Sequence, residues 1–277
     1  MNVQHRNNVT LQGEGRETLM FAHGFGCDQS MWRLVAPHFA AEAKVVLFDH
    51  VGAGDSDASA YDRSKYASLA GYAQDVIDIC ESQGLADVSF VGHSVSAMIG
   101  VLAAVRRPDL FARLILICPS PRYANDGAYV GGFAEQDLED LLDLLAKNQL
   151  DWSEMLAPAV VADDTFQAEW RASVCRVEPA IAQDFARATF LSDHRQDCRA
   201  VTTPTLLIEC SDDALAPPEV GAFLNATIAG SRRVVLQAIG HSPHLTAPSG
   251  VIAAIAGFVG VRQGRPEAPV TGAPHVA

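Results

Sequence analysis

The chain has 277 residues, enough for one large α/β domain or a domain with an insertion. Hydrophobic residues make up 49% and charged residues 19%, so there is ample material for a core. A net charge of −13, with no stripe of Lys or Arg, argues against nucleic acid and anionic membrane as partners, and no apolar run is long enough to span a bilayer.

The first eight residues, Met1 to Asn8, are polar and lack the apolar stretch of a signal peptide, which predicts a cytoplasmic protein. The segment from Val3 to Gln12 is expected to supply an antiparallel sheet edge. Leu19 to Ala22 reads as a strand, Met31 to Ala40 as a helix, and Lys44 to Phe48 as the next strand. A glycine-rich connection, Val51 to Ser56, leads to a helix from about Ser68 to Gln83. Its Gly52-Ala53-Gly54 lacks the third glycine and the acidic residue of a dinucleotide site. Val88 to Val91, Leu114 to Ile117, Leu206 to Glu209 and Val234 to Gln237 are further apolar strands. Short apolar runs separated by helices indicate an α/β fold with a mostly parallel sheet covered on both faces.

The alternation breaks once. Between Pro119 and about Thr203 only helical patterns occur: Glu135 to Asn148, Trp152 to Leu156, Asp164 to Arg176 and Pro179 to Phe190. This divides the chain into a core of 1–118 and 204–260 and a helical cap of 119–203 inserted at the strands' C-terminal edge. Residues 261–277, rich in Gly and Pro, are expected to be disordered. The six cysteines (Cys27, Cys80, Cys118, Cys175, Cys198 and Cys210) are scattered without a C-x-x-C pair and read as free thiols of a reducing compartment.

Chemistry concentrates at the strand ends. Gly92-His93-Ser94-Val95-Ser96 joins a strand to a helix and has the pattern of a nucleophile elbow, a sharp turn that lifts a serine hydroxyl clear of the sheet. A serine hydroxyl needs a base within reach, and the base needs a group to orient it. Asp212 and Asp213 compete for the orienting role after the strand ending at Cys210. Asp213 is preferred because it stands nearer Pro217, where the next helix begins. His241 and His244 compete as the base. His241 follows a glycine just past the last strand, whereas the position of His244 near the final helix suits capping or packing. His23-Gly24-Phe25-Gly26 follows the first apolar strand, and its glycines let the Phe25 N–H turn to the pocket. The Val95 N–H would be the second oxyanion donor. His50, His93 and Asp49 read as local hydrogen-bonding residues. No His/Cys/Asp run has metal-ligand spacing, so neither metal nor cofactor is expected.

Together with Asp28-Gln29-Ser30, Ser120-Pro121-Arg122-Tyr123, Gly131-Gly132-Phe133 and Gly240-His241-Ser242-Pro243-His244, these segments resemble the RsbQ-type α/β hydrolases. That group includes the bacterial stress-pathway regulator RsbQ and the plant karrikin and strigolactone receptors. The resemblance implies an α/β-hydrolase fold, with an eight-stranded sheet and a four-helix cap. It implies the triad Ser94, Asp213 and His241. It also implies a narrow apolar pocket lined by Phe25, Phe133, Trp152 and Phe190. Two cap positions that are commonly aromatic in the plant receptors are Leu156 and Cys175 here, which suggests a less aromatic pocket.

The expected function is a cofactor-independent serine hydrolase acting on a small apolar ester or lactone through an acyl-enzyme. Two alternatives follow from the resemblance and from the fold. One is a ligand-responsive signalling module acting on a protein partner. The other is a carbon–carbon bond hydrolase.

Overall fold

The computed structural model describes residues 2–260. The tail expected to be disordered, 261–277, lies outside the described residues. Seven strands form one sheet: β1 (Thr10–Gln12), β2 (Glu17–Ala22), β3 (Ala43–Phe48), β4 (Val88–His93), β5 (Phe111–Ile117), β6 (Thr205–Asp212) and β7 (Arg232–Ile239). Their spatial order is β1-β3-β2-β4-β5-β6-β7, with β1 antiparallel to β3 and every other pairing parallel.

The expected eight strands are thus seven among the described residues. Of the predicted edge, Val3 to Gln12, only Thr10–Gln12 joins the sheet. Val3–Arg6 coils into a helical turn because the Asn2 side chain accepts from the Gln4 N–H and caps it. A second correction concerns Met31 to Ala40. This stretch forms two short 3-10 turns, Gln29–Trp32 and Ala36–His38, rather than one helix. Pro37 sits at the start of the second and brings no N–H to continue a helical ladder from the first.

The strands read as unbroken apolar runs because both faces are covered. Side chains alternate: Met20, Ala22, Val46 and Phe48 enter one core, while Leu19, Phe21, Val45 and Leu47 enter the other. The first core is closed by helices α1 (Leu69–Ser82) and α2 (Val95–Arg106), and the second by Trp32, Phe39 and the helix Pro248–Val259.

Between β5 and β6 run four long helices, α3 (Glu135–Lys147), α4 (Gln149–Val160), α5 (Asp164–Arg176) and α6 (Pro179–Phe190), and a short one, Arg195–Arg199. Their inner faces build a third apolar cluster. It joins Leu138, Trp152, Leu156, Trp170, Val174 and Phe190 to core residues such as Cys27, Met31 and Leu215. The cluster stands over the C-terminal ends of the strands, which is where Ser94, Asp213 and His241 also lie. Among the described residues no helix is long and apolar enough to cross a membrane.

Candidate active site

Ser94 ends β4 and opens α2 in the left-handed region, with φ 56° and ψ −121°. Few residues hold that conformation unaided, and here the surroundings impose it. The Ser94 N–H donates to the Ile117 carbonyl at 2.8 Å, and the Ser94 carbonyl accepts from Ala97 N–H at 2.9 Å. The turn is so tight that a Cβ on Gly92 would lie 2.5 Å from the Ser96 carbonyl oxygen, which is why glycine precedes the tip.

His241 reaches Ser94 from the loop after β7, its Nε2 lying 2.8 Å from Ser94 Oγ. The opposite nitrogen, Nδ1, stands 2.8 and 3.0 Å from the two carboxylate oxygens of Asp213. Because Asp213 accepts, Nδ1 carries the proton, and Nε2 presents a lone pair to the serine O–H. Asp213 Oδ1 also accepts from the amides of Leu215 and Ala216 at 2.9 and 3.1 Å. Burial alone would raise the Asp213 pKa. The facing His241 ring and the two amides outweigh burial, and the carboxyl is held below its ordinary value.

Two further histidines surround His241. His93 Nε2 donates to the His241 carbonyl at 2.7 Å, which fixes the loop rather than the ring. Burial first, and the neighbouring His241, push its pKa down to about 3. His244 packs its ring 4.8 Å from Trp32 and 4.4 Å from His93. Burial and the neighbouring His93 hold it well below the usual imidazole value. Of the two candidate bases, the structure brings His241 to Ser94 and uses His244 as packing.

Asp212 and Asp213 likewise separate. Asp212 is exposed at the end of β6, and Asp213 is buried against His241. The Cys118 thiol, at the end of β5, has its sulfur within 4.8 Å of donor atoms of Asp213 and His241. It also lies 3.9 Å from the Cys210 sulfur. Burial, then this thiol contact, pushes the Cys118 pKa well up. Spacing in the sequence gives no sign of this cluster, because its members come from three separate strand ends. Asp213 and His241 are already committed to each other, so the arrangement is that of a hydrogen-bonded cluster.

The loop after β2 lies against the elbow. A Cβ on Gly24 would fall 2.5 Å from His93 Nδ1 and 3.4 Å from the Ser94 Cβ. His23 Nδ1 donates to the Gly24 carbonyl at 2.9 Å. That oxygen and the Phe25 N–H belong to one planar peptide unit, so holding the first fixes the direction of the second. Val95 is the first residue of α2, and the leading N–H groups of a helix have no partner within it.

A narrow cavity with an empty volume of about 380 Å³ opens on Ser94 and His241. Of the six pocket residues expected, Phe25, Leu156 and Phe190 line it. Trp152 stands behind Phe25, with ring centroids 5.5 Å apart. Phe133 lies in a separate open groove that Leu156 also borders. Cys175 is displaced altogether: it is exposed, and its sulfur is 3.9 Å from Ser153 Oγ. On α5, Trp170 and Val174 share the inward face one turn apart, and Cys175 is rotated about 100° from Val174. The wall residues missed in the sequence are Cys27, Tyr123, Val160, Trp170, Thr189 and Leu215. Tyr123 and Trp170 carry a signal in hindsight, as aromatics on the segments flanking the predicted pocket.

An inserted helical layer over a parallel sheet, with an elbow serine, a histidine and an acid in that chain order, defines a class of protein. The chain belongs to the α/β hydrolase family, whose profile matches residues 19–255. It is 39% identical over 254 residues to "Karrikin insensitive 2 receptor CA" of Petunia hybrida, covering 90% of this chain and 94% of that one. It is 38% identical over 251 residues to "Strigolactone esterase D14" of Arabidopsis thaliana, with the same two coverages, 90% and 94%. Among solved structures, a hydrolase from Oleispira antarctica superposes with a TM-score of 0.92 at 39% identity, over 94% of this chain and 96% of that one. The resemblance to the receptor-type hydrolases read from the motifs is therefore borne out at the level of relatives.

Proposed function

We propose that the protein hydrolyses a small apolar ester or lactone through a Ser94 acyl-enzyme. The observation that carries this is the unbroken line Ser94 Oγ–His241 Nε2 at 2.8 Å and His241 Nδ1–Asp213 at 2.8 Å. His241 takes the serine proton as Ser94 Oγ attacks the carbonyl carbon. The amides of Phe25 and Val95 receive the oxyanion, and Asp213 stabilises the imidazolium without taking its proton. His241 then protonates the leaving oxygen, and water, activated by the same nitrogen, releases the acid. Substrate contacts are assigned to Phe25, Leu156 and Phe190, with Trp152 supporting Phe25. The core-and-cap division at 119–203 is part of the same reading. Six unpaired thiols suit a reducing compartment, so we assign the cytoplasm.

The experiment is hydrolysis of p-nitrophenyl acetate by the wild type and by Ser94→Ala. Loss of at least about 10⁴-fold in kcat is expected, and equal rates would overturn the reading. A second reading, ligand-responsive signalling to a protein partner, is favoured by the receptor name of one relative. It predicts a partner captured from the native cell only when a lactone is present, and capture that ignores the lactone would dismiss it.

A further inference from the structure

The loop that carries the Phe25 amide is held by a buried network that the reaction steps leave unused. Three side chains make it: His23 after β2, His50 after β3 and Ser96 on α2. Every proton in it can be assigned. The His23 carbonyl only accepts, so the Ser96 O–H, 2.5 Å away, donates to it. The Ser96 oxygen then accepts from His50 Nε2 at 2.7 Å. Burial, and after it the adjacent His23, holds His50 well below the usual imidazole value, so Nε2 carries the only ring proton. The His50 backbone N–H only donates, so His23 Nε2, at 3.1 Å, accepts. His23 Nδ1 therefore carries the proton of its ring and donates to the Gly24 carbonyl at 2.9 Å.

The two carbonyls held in this way belong to consecutive peptide units, and the second unit carries the Phe25 N–H. The Cys27 N–H adds a further bond to the Gly24 oxygen, at 3.3 Å. Among the described residues nothing accepts from the Phe25 N–H itself. Ser96 is the centre of the network. It stands two residues past Ser94, where the elbow pattern ordinarily has glycine. Glycine offers neither the donor that His23 receives nor the acceptor that His50 meets. One side chain thus ties the loop with the free amide to the turn that presents Ser94.

We infer that Ser96 is a positioning residue for acyl transfer, which acts through His23 and His50 to aim the Phe25 amide at the oxyanion. It touches no substrate. A donor fixed in advance needs no rearrangement as charge develops, which is where such an amide gains its effect. This role rests on the hydrolytic reading.

The test uses Ser96→Ala, which removes the hydroxyl and keeps Cβ, and Ser96→Gly, which restores the usual elbow residue. With p-nitrophenyl acetate, kcat is expected to fall at least about tenfold in each while KM stays within about threefold, because a misaimed amide weakens the transition state more than the bound ester. Phenylboronic acid forms a tetrahedral adduct with a serine oxygen and sets an oxygen where the oxyanion would form. Its inhibition constant is expected to rise by a similar factor. A purely structural role would lower the urea midpoint and move neither value. The inference is overturned if the folded variants keep kcat within about threefold of the wild type, or lose kcat with boronic acid inhibition unchanged. If one variant does not fold by circular dichroism, the other decides. Hydrolysis by Ser94→Ala at the wild-type rate would end the hydrolytic reading and this role with it. An inactive Ser94→Ala beside fully active Ser96 variants would end this role alone.

Discussion

The floor and the roof of the Ser94 cavity are held by different forces. On the floor, every group with a chemical task is fixed by directional bonds. Ser94 is anchored through its N–H to Ile117, His241 through its ring to Asp213, and Asp213 through the amides of Leu215 and Ala216. On the roof, Trp152, Leu156 and Phe190 are held by apolar contact, and the Trp152 indole N–H is buried without a partner among the described residues; Trp170 adds one directional bond, from its indole N–H to the Phe25 carbonyl at 3.2 Å. The ion pairs tying the helices to the core, Arg176–Asp28 and Arg33–Glu169, sit at the rim, where such pairs contribute at most about 1 kcal/mol. A directional network fails when one atom is wrong, whereas an apolar wall changes shape by degrees. The floor is therefore suited to set the reaction and the roof to set which molecule undergoes it.

The largest effect should come from breaking one bond of the floor. Asp213→Asn keeps the volume but offers an N–H to His241 Nδ1, which favours the wrong tautomer. A fall of about 10⁴-fold in kcat with little change in KM is expected for p-nitrophenyl acetate. A loss under tenfold would mean that the acid is not orienting the base.

The floor should also be the part that acid attacks. His93 titrates at about 3 in the fold, against about 6.5 when unfolded. Between these values the unfolded chain binds a proton that the folded chain refuses, so stability is full above about pH 6.5 and falls as the pH drops towards 3. His50 and His244 are shifted in the same direction. At up to about 1.4 kcal/mol per pH unit, His93 alone should remove up to about 2 kcal/mol between pH 6.5 and 5, and His50 and His244 add to the loss. Asp213 acts lower down: its depressed pKa gives stability that is present above about pH 4 and is lost as the pH falls through its folded value. Urea melts at pH 8, 6.5 and 5 should show the midpoint falling only below 6.5, and a flat midpoint would contradict the burial of neutral histidines.

The same contrast explains what could be read from the sequence. The elbow is legible because a strand–turn–helix with small flanking residues has few uses. His241 is legible because a glycine sets it just beyond a strand. Asp213 is legible from its place nearer Pro217, where the next helix begins, and Asp212 is exposed at the end of β6. The roof is less legible. Its four helices show in their periodicity, but which residue faces the cavity depends on helix rotation by one position, and Cys175 beside Val174 falls on the wrong side. The Cys118 contact with Asp213 depends on separate strand ends meeting, which no local pattern records.

Loosening the roof sharpens the comparison. Trp152 is fully buried between Phe25 and Trp170, with ring distances of 5.5 and 5.9 Å. Trp152→Ala should cost about 3–5 kcal/mol of stability. If the roof governs selection, KM should shift differently for short and long esters while kcat for p-nitrophenyl acetate stays within about threefold. A uniform collapse of kcat for all esters would place Trp152 with the floor.

The smallest change falls where roof and floor touch. The His241 N–H donates to the Val160 carbonyl, the last residue of α4, at 3.0 Å. Gly240, just before it, holds φ at 88°, and a Cβ there would lie 3.1 Å from the Ala162 amide nitrogen. Gly240→Ala therefore meets two costs, a left-handed backbone and a tight approach to the chain leaving α4. Together they should amount to about 1–2 kcal/mol. The backbone can relax in two directions. If the α4 end gives way, stability falls and kcat holds, because the His241 ring keeps its place against Asp213. If the histidine loop gives way, His241 Nε2 moves off Ser94 and kcat falls with stability. The first outcome is expected, since His93 and Asp213 hold the loop from below, whereas a single backbone bond joins it to the roof from above. Urea melts alongside kcat for p-nitrophenyl acetate separate the two. A kcat loss beyond about tenfold would show that roof and floor are one mechanical unit.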